Sequence, residues 1–213
     1  MKFRMLALAF GLMGPQVAAA DLAVEIRDSG GQPVPNAVVS FAPKFTLTQP
    51  VPASASAEMR QEGTMFSPFV LPVQVGTTVS FPNFDEFRHQ VYSFSKPKRF
   101  ELRLYGQDES KTIHFENSGV VALGCNIHDN MLAYIYVSEH PIVAKTGEDG
   151  KVLVQSLEPG EYDIHIWHPD LASGADPILK SVSVSADGGT VSGQINLRSI
   201  RSIQQPPAED DYN

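Results

Sequence analysis

Cysteine is all but missing from this chain: Cys125 stands alone, so no disulfide can form within it. Long apolar runs are missing as well. After the first twenty residues nothing approaches the roughly 18 to 20 apolar residues that a membrane-spanning helix needs. Basic side chains are outnumbered, 16 against 24 acidic, for a net charge of −8. That deficit argues against nucleic acid and anionic lipid as partners. It serves solubility, or on a sharper reading steers a basic redox partner. No sustained 3.6-residue apolar stripe follows the first twenty residues, which leaves little room for helices.

The opening MKFRMLALAFGLMGPQVAAA has Lys2 and Arg4 ahead of an apolar run, then Ala18, Ala19 and Ala20 before Asp21. This reads as a secretory signal over 1–20 with an A-x-A cleavage site. Loss of Lys2 and Arg4 takes the net charge from −8 to −10. The expectation is an exported, soluble protein. In such a compartment an unpaired thiol needs an explanation. Cys125 could be an inert buried side chain, could pair between molecules, or could ligate a metal.

Gly, Pro and β-branched residues punctuate the rest, which reads as almost all β. LAVEIR at 22–27 and AVVSF at 37–41 look like a hairpin joined by the turn-rich DSGGQPVPN. Residues 46–64 are polar and aperiodic, and read as a linker. Strands are expected at 69–75, 78–81, 89–94, 110–115, 119–123 and 131–137, then through TGEDGKVLVQSLEPGEYDIHIW, ILKSVSVSA and TVSGQINL. The polar tail 199–213 should fray.

Between two expected strands lies Gly124-Cys125-Asn126-Ile127-His128-Asp129-Asn130-Met131, which offers a thiolate, an imidazole and a thioether three residues apart. His89 follows FPN at 81–83 by six residues. One thiolate and two imidazoles with a weak axial Met suit copper in both oxidation states, so His89, Cys125, His128 and Met131 are the expected ligands of one ion. A C-x2-H spacing alone is weak; C-x2-H-x2-M after FPN-x5-H is specific. Met131 is also the sole methionine after Met65.

FSPFVLPVQVGTTVSFPNFDEFRH followed by GVVALGCNIHDNM resembles the cupredoxin family, the plastocyanin and amicyanin relatives, over residues 65–140. The short His128-to-Met131 spacing is similar to the amicyanin loop. NFDEFRHQVYSFSKPKRFELRLY with GCNIHD resembles more closely the bacterial plastocyanin-like proteins of methylamine utilisation. The resemblance implies one type 1 copper on these four residues, a periplasmic setting, Asn83 bracing the ligand loop, and His128 as the exposed edge for electron exchange. Asp129 and Gln90 depart from the family, where Pro and Asn are usual, in positions that set potential and solvent access. Phe81, Phe84, Phe87 and Phe94 read as core and edge aromatics, or as a shield for the metal.

Residues 21–45 and 141–198 together resemble a carboxypeptidase-regulatory-like or transthyretin-like sandwich, through VEIRDSGGQPVPNAVVSF and the later D-G-K-V and L-E-P-G-E-Y-D-I-H-I. Either the cupredoxin stretch 65–140 is inserted in that module, or the first two strands belong to the cupredoxin itself. Insertion is the reading adopted. The expected fold is therefore all-β: a cupredoxin Greek-key β-sandwich combined with a second, small prealbumin-like β-sandwich. His165 and His168 would point to opposite faces of a strand and are read as structural. Trp167 reads as packing, and His114 and His140 have no partner pattern.

These readings converge on a periplasmic blue copper protein that carries single electrons and is not an enzyme. By analogy its partners would be a c-type cytochrome or a periplasmic dehydrogenase. Two alternatives use the same residues: a copper carrier or chaperone, and a cell-surface binding module whose copper site is not redox-active. Multicopper oxidase or nitrite reductase chemistry would need H-x-H and H-C-H clusters, which the sequence lacks.

Overall fold

The computed structural model describes residues 19–48, 50–52, 54–171, 178–198 and 204. Among them there is no helix. Two strands open the chain, β1 (Ala20–Asp28) and β2 (Val38–Pro43). Ten follow: β3 (Ser56–Glu58), β4 (Arg60–Glu62), β5 (Met65–Ser67), β6 (Val70–Gln74), β7 (Thr78–Pro82), β8 (His89–Ser93), β9 (Phe100–Tyr105), β10 (Ser110–His114), β11 (Gly119–Cys125) and β12 (Leu132–Ser138). The last five are β13 (Ile142–Lys145), β14 (Lys151–Leu157), β15 (Gly160–Trp167), β16 (Ile178–Val184) and β17 (Gly189–Ile195).

Pairing follows side-chain alternation. In β1, Ala20, Leu22, Val24 and Ile26 are buried, and the strand sits between β14 and β17. A facing sheet of order β13-β2-β15-β16 supplies Val39, Phe41, Tyr162, Ile164 and Ile166 to the same apolar core. Strands β3 to β12 build a second pair of sheets, β10-β7-β3 and β6-β12-β11-β8-β9, with a β4-β5 ribbon beside them. Their core holds Met59, Phe66, Val79, Phe81, Val91, Leu123 and Ile135. Both layers are β-sandwiches, each closing one core between two sheets.

Three sequence expectations need correction. The segments 22–27 and 37–41 do not pair as a hairpin: β1 pairs with β14 and β17, and β2 with β13 and β15. The connector carries the chain from one sheet to the other, with Val34 and Ala37 buried between them and Asn36 at φ +60° turning the backbone. Residues 46–64, read as a linker, contain β3 and β4 and bury Met59 and Gln61 completely. Strands of three residues are too short for alternation to show in sequence. Third, β9 was not expected, because FELRLY keeps charged residues on the exposed side of an edge strand.

The expected leader over 1–20 lies outside the described residues except for its end, where Ala20 opens β1 and pairs with Leu157. The expected tail 199–213 also lies outside them, except Gln204, whose side-chain amide pairs with the backbone of Phe66. No helix among the described residues is long and apolar enough to cross a membrane.

A buried tyrosine pins the entry to β15: the Tyr162 hydroxyl donates to Glu158 O at 2.7 Å, and its ring meets the rings of Phe41 and Phe45 edge-on. Tyr162→Phe keeps the packing and deletes this bond. Urea unfolding should show a loss of about 1 kcal/mol with an unchanged denaturant slope.

Candidate metal centre

His89 is the first residue of β8 and Cys125 the last of β11, two neighbouring antiparallel strands in which Cys125 pairs with Val91 and Gly124 with Tyr92. Gly124 is required by proximity: a Cβ there would lie 2.7 Å from the Tyr92 ring. Past Cys125 the chain turns through 126–131 into β12, and Met131 N donates to His128 O at 3.1 Å, closing the loop.

This brings three of the four expected ligands together. Cys125 Sγ lies 3.8 Å from His89 Nδ1 and 3.9 Å from His128 Nδ1, and the two rings are 4.9 Å apart between centroids. His89 and Cys125 are buried, and His128 is half-buried. Among the described residues this is the sole cluster of three or more His, Cys or acidic donors within reach of one ion. A metal bound at about 2.3 Å to sulfur and about 2.0 Å to nitrogen, with about 120° between them, would hold those atoms about 3.7 Å apart. The observed spacing therefore fits a trigonal site. Met131 is buried in the same core as Cys125.

The orientation of His89 comes from Asp85, which the sequence reading did not single out. Asp85 Oδ2 lies 2.7 Å from His89 Nε2. The same carboxylate accepts from Gly63 N at 2.7 Å and Thr64 N at 3.0 Å, tying the β4-β5 turn to the site. A carboxylate on Nε2 holds a proton on that nitrogen and turns Nδ1 toward the sulfur, the orientation seen in metal-ligating histidines. The signal was present in the sequence as Asp85-x3-His89, two residues after Asn83.

Asn83 does not brace the 125–131 loop. Its buried amide donates to Phe87 O at 2.8 Å and Tyr105 O at 3.2 Å, and its Oδ1 accepts from Asp85 N at 2.9 Å. It therefore shapes the turn that delivers Asp85 and His89. The ligand loop is held instead by Asn130, which donates to Thr64 O at 3.1 Å.

Charge at the centre follows from this packing. Burial works against a Cys125 thiolate, but bonds from His89 and from the backbone of Gln90 and Ile127 outweigh it and hold the thiol below its ordinary range. For His89, burial favours the neutral ring, yet Cys125 and Asp85 together raise its basicity above normal. Burial and the charge on His89 push His128 down, which keeps that ring neutral and its lone pair available.

The aromatics divide. Phe81 is wholly buried, whereas Phe84, Phe87 and Phe94 are exposed. Phe87 lies against the His128 ring, 6.4 Å between centroids, and Arg60 sits over the Phe84 ring. Ile127, next to His128 in the chain, is exposed as well. Away from the centre, His168 lies beyond the end of β15 and accepts from Asp170 N, while His114 meets Thr78 across β7 and β10. Trp167 packs on Tyr134 and Tyr136, as expected of a packing residue.

No protein-family model matches the chain, and no curated protein matches it. Solved structures resemble part of it. A copper-containing nitrite reductase from Thermus scotoductus SA-01 is 31% identical over 43% of this chain, with a TM-score of 0.38, and the chain spans 25% of its length. A purple cupredoxin from Nitrosopumilus maritimus is 24% identical over 40% of this chain and 100% of its own, with a TM-score of 0.35. A single-site variant of amicyanin in its oxidised state is 18% identical over 39% of this chain and 83% of its own, at 0.37. At these scores the likeness is a partial resemblance and nothing further rests on it.

In the metal-free folded protein the ultraviolet absorbance of the thiolate should rise at lower pH than in the urea-unfolded chain. His89→Gln should move that midpoint upward, because burial then acts on the thiol with less opposition. Asp85→Asn should weaken copper binding by about 10- to 100-fold in a chelator competition, by loosening His89.

Proposed function

We propose that this protein is an exported, periplasmic blue copper protein that carries single electrons and performs no catalysis of its own. The observation that carries the reading is the convergence of one thiolate and two Nδ1 atoms at 3.8 and 3.9 Å, with His89 aligned by a buried carboxylate. Copper bound there supplies a one-electron couple.

Each residue then has a role. Cys125 is the thiolate ligand, and its low proton affinity keeps it ready for metal. His89, wholly buried and anchored by Asp85, is the fixed imidazole. His128, half-buried, is the imidazole nearest solvent. Met131, buried in the same core as Cys125, would be the fourth ligand on the sequence pattern. Rigid strand ends hold two of these ligands, which suits a site that must change little between oxidation states.

Phe87, against the His128 ring, and Ile127, next to it in the chain, are exposed apolar side chains at His128, where a redox partner such as a c-type cytochrome or a periplasmic dehydrogenase would dock. Residues 1–20 support export. A role as a cysteine-dependent hydrolase is disfavoured, since Cys125 is only 4% exposed and offers a substrate no approach.

The copper(II)-loaded protein should show an intense visible thiolate-to-copper band and a compressed EPR hyperfine splitting. Cys125→Ser should abolish the band. Met131→Leu should keep it and shift the reduction potential in voltammetry, since the axial ligand tunes the couple. A colourless copper(II) protein with an ordinary hyperfine splitting would overturn the assignment.

A further inference from the structure

Far from Cys125 the fold brings together two histidines that sequence spacing left unconnected. His140 lies in the turn between β12 and β13, and His165 lies within β15, which is flanked by β2 and β16. Their ring centroids are 4.4 Å apart with a 39° tilt, closer than the 4.9 Å between the rings of His89 and His128. The six steps along the seven residues of β12, at about 3.3 Å each, put this pair about 20 Å of strand away from the Cys125 loop.

Both rings stand on fixed backbone. The Ser138 hydroxyl donates to His140 O at 3.1 Å and accepts from His140 N at 3.0 Å, pinning the turn. His165 is held from both sides, in register with Ser40 of β2 and Leu179 of β16. Among the described residues no protein group hydrogen-bonds a ring nitrogen of either histidine, so neither ring has a structural task of the kind that occupies His168 or His114.

Electrostatics favours the neutral, lone-pair-bearing form of His140. Burial and the neighbouring His165 hold His140 below the ordinary imidazole range, with Glu139 opposing. Two imidazolium ions at this separation would repel, whereas one cation between two neutral rings is attracted by both. Glu139 is exposed next to His140. Asp163, two residues before His165, is already engaged by Lys44 and Ser181. No third donor completes a cluster here among the described residues, so the remaining coordination positions fall to water.

We propose that His140 and His165 form a second metal site, separate from the Cys125 centre, that binds an exchangeable divalent transition ion of borderline softness, copper(II) or zinc(II). Imidazole pairs suit both ions, and the acidic chain raises their concentration at its surface. Bound metal would cross-link the β12–β13 turn to β15. It would therefore stabilise the fold in proportion to its occupancy, through residues that the electron-carrier reading does not use.

Calorimetric titration of the metal-free Cys125→Ser chain with zinc(II), and separately with copper(II), tests this. The expected result is one equivalent of bound metal that His140→Gln, and independently His165→Gln, weakens at least tenfold. Imidazole proton signals of both residues should shift together on addition of zinc(II). Both side chains are only partly buried, so near-ultraviolet circular dichroism and the metal-free urea midpoint should stay unchanged and show that the variants fold. No binding in the Cys125→Ser chain, or binding that survives both substitutions, overturns the site and reduces the pair to stacked neutral rings. Retention by one ion alone identifies which of the two the site takes. His140→Gln in the otherwise unaltered chain leaves the Cys125 copper band in place, so failure here and failure of the electron-carrier reading are separately visible.

Discussion

Two residue pairs, Gly124 with Tyr92 and Cys125 with Val91, set the register between β8 and β11, and the candidate metal centre depends on that register. Side chains in a strand alternate, so a slip of one residue would turn Cys125 to the opposite face and separate its sulfur from His89. Several features guard against it. Leu123 and Cys125 both point into the inner core, as do Val91 and, across the sheet, Ile135. Such a slip of β11 would turn Val121, Leu123 and Cys125 out of the core together, at a cost of the order of 1.5–3 kcal/mol for each large apolar side chain. Gly124 adds a local constraint, because the Tyr92 ring occupies the space any larger side chain would need. The geometry of the donors is thus secured by hydrophobic packing, and the donors themselves contribute little to holding it.

A thiolate, two imidazoles and a carboxylate share a largely water-excluded volume, and each loses hydration there. Asp85 moderates this by accepting from two backbone amides while facing His89, so its charge is met from three sides. His89 between Asp85 and Cys125 then compensates two anionic groups at once. This mutual pairing holds the three donors close together with no ion between them.

Much of this was legible in the sequence, and the exceptions have physical causes. The spacing of Cys125 and His128 on a strand-to-strand loop, with His89 after FPN, marked the three donors that the structure brings together. Long strands such as β11, β12 and β15 showed clear alternation. The short strands β3 and β4 did not, since alternation over three residues is indistinguishable from chance. Asp85 went unnoticed because an acidic residue in a turn ordinarily faces solvent, and only the turn made by Asn83 sends it inward. The meeting of His140 with His165 could not be read at all. It depends on how the β12–β13 turn settles against β15, two elements that local sequence spacing does not connect.

That meeting is organised by β12. Its residues Ala133, Ile135 and Val137 enter the core shared with Cys125, whereas Tyr134 and Tyr136 lie against Trp167 of β15 and belong to the other core. A strand covered on both faces has no surface along which to shift without opening one core or the other. It begins directly after Met131, so the loop carrying His128 is tied at its end to an element that both sandwiches immobilise. The outer sandwich, remote from the metal donors, therefore bears on the centre by clamping the strand that receives the ligand loop. At the far end of the same strand His140 emerges beside His165, where the two sandwiches meet.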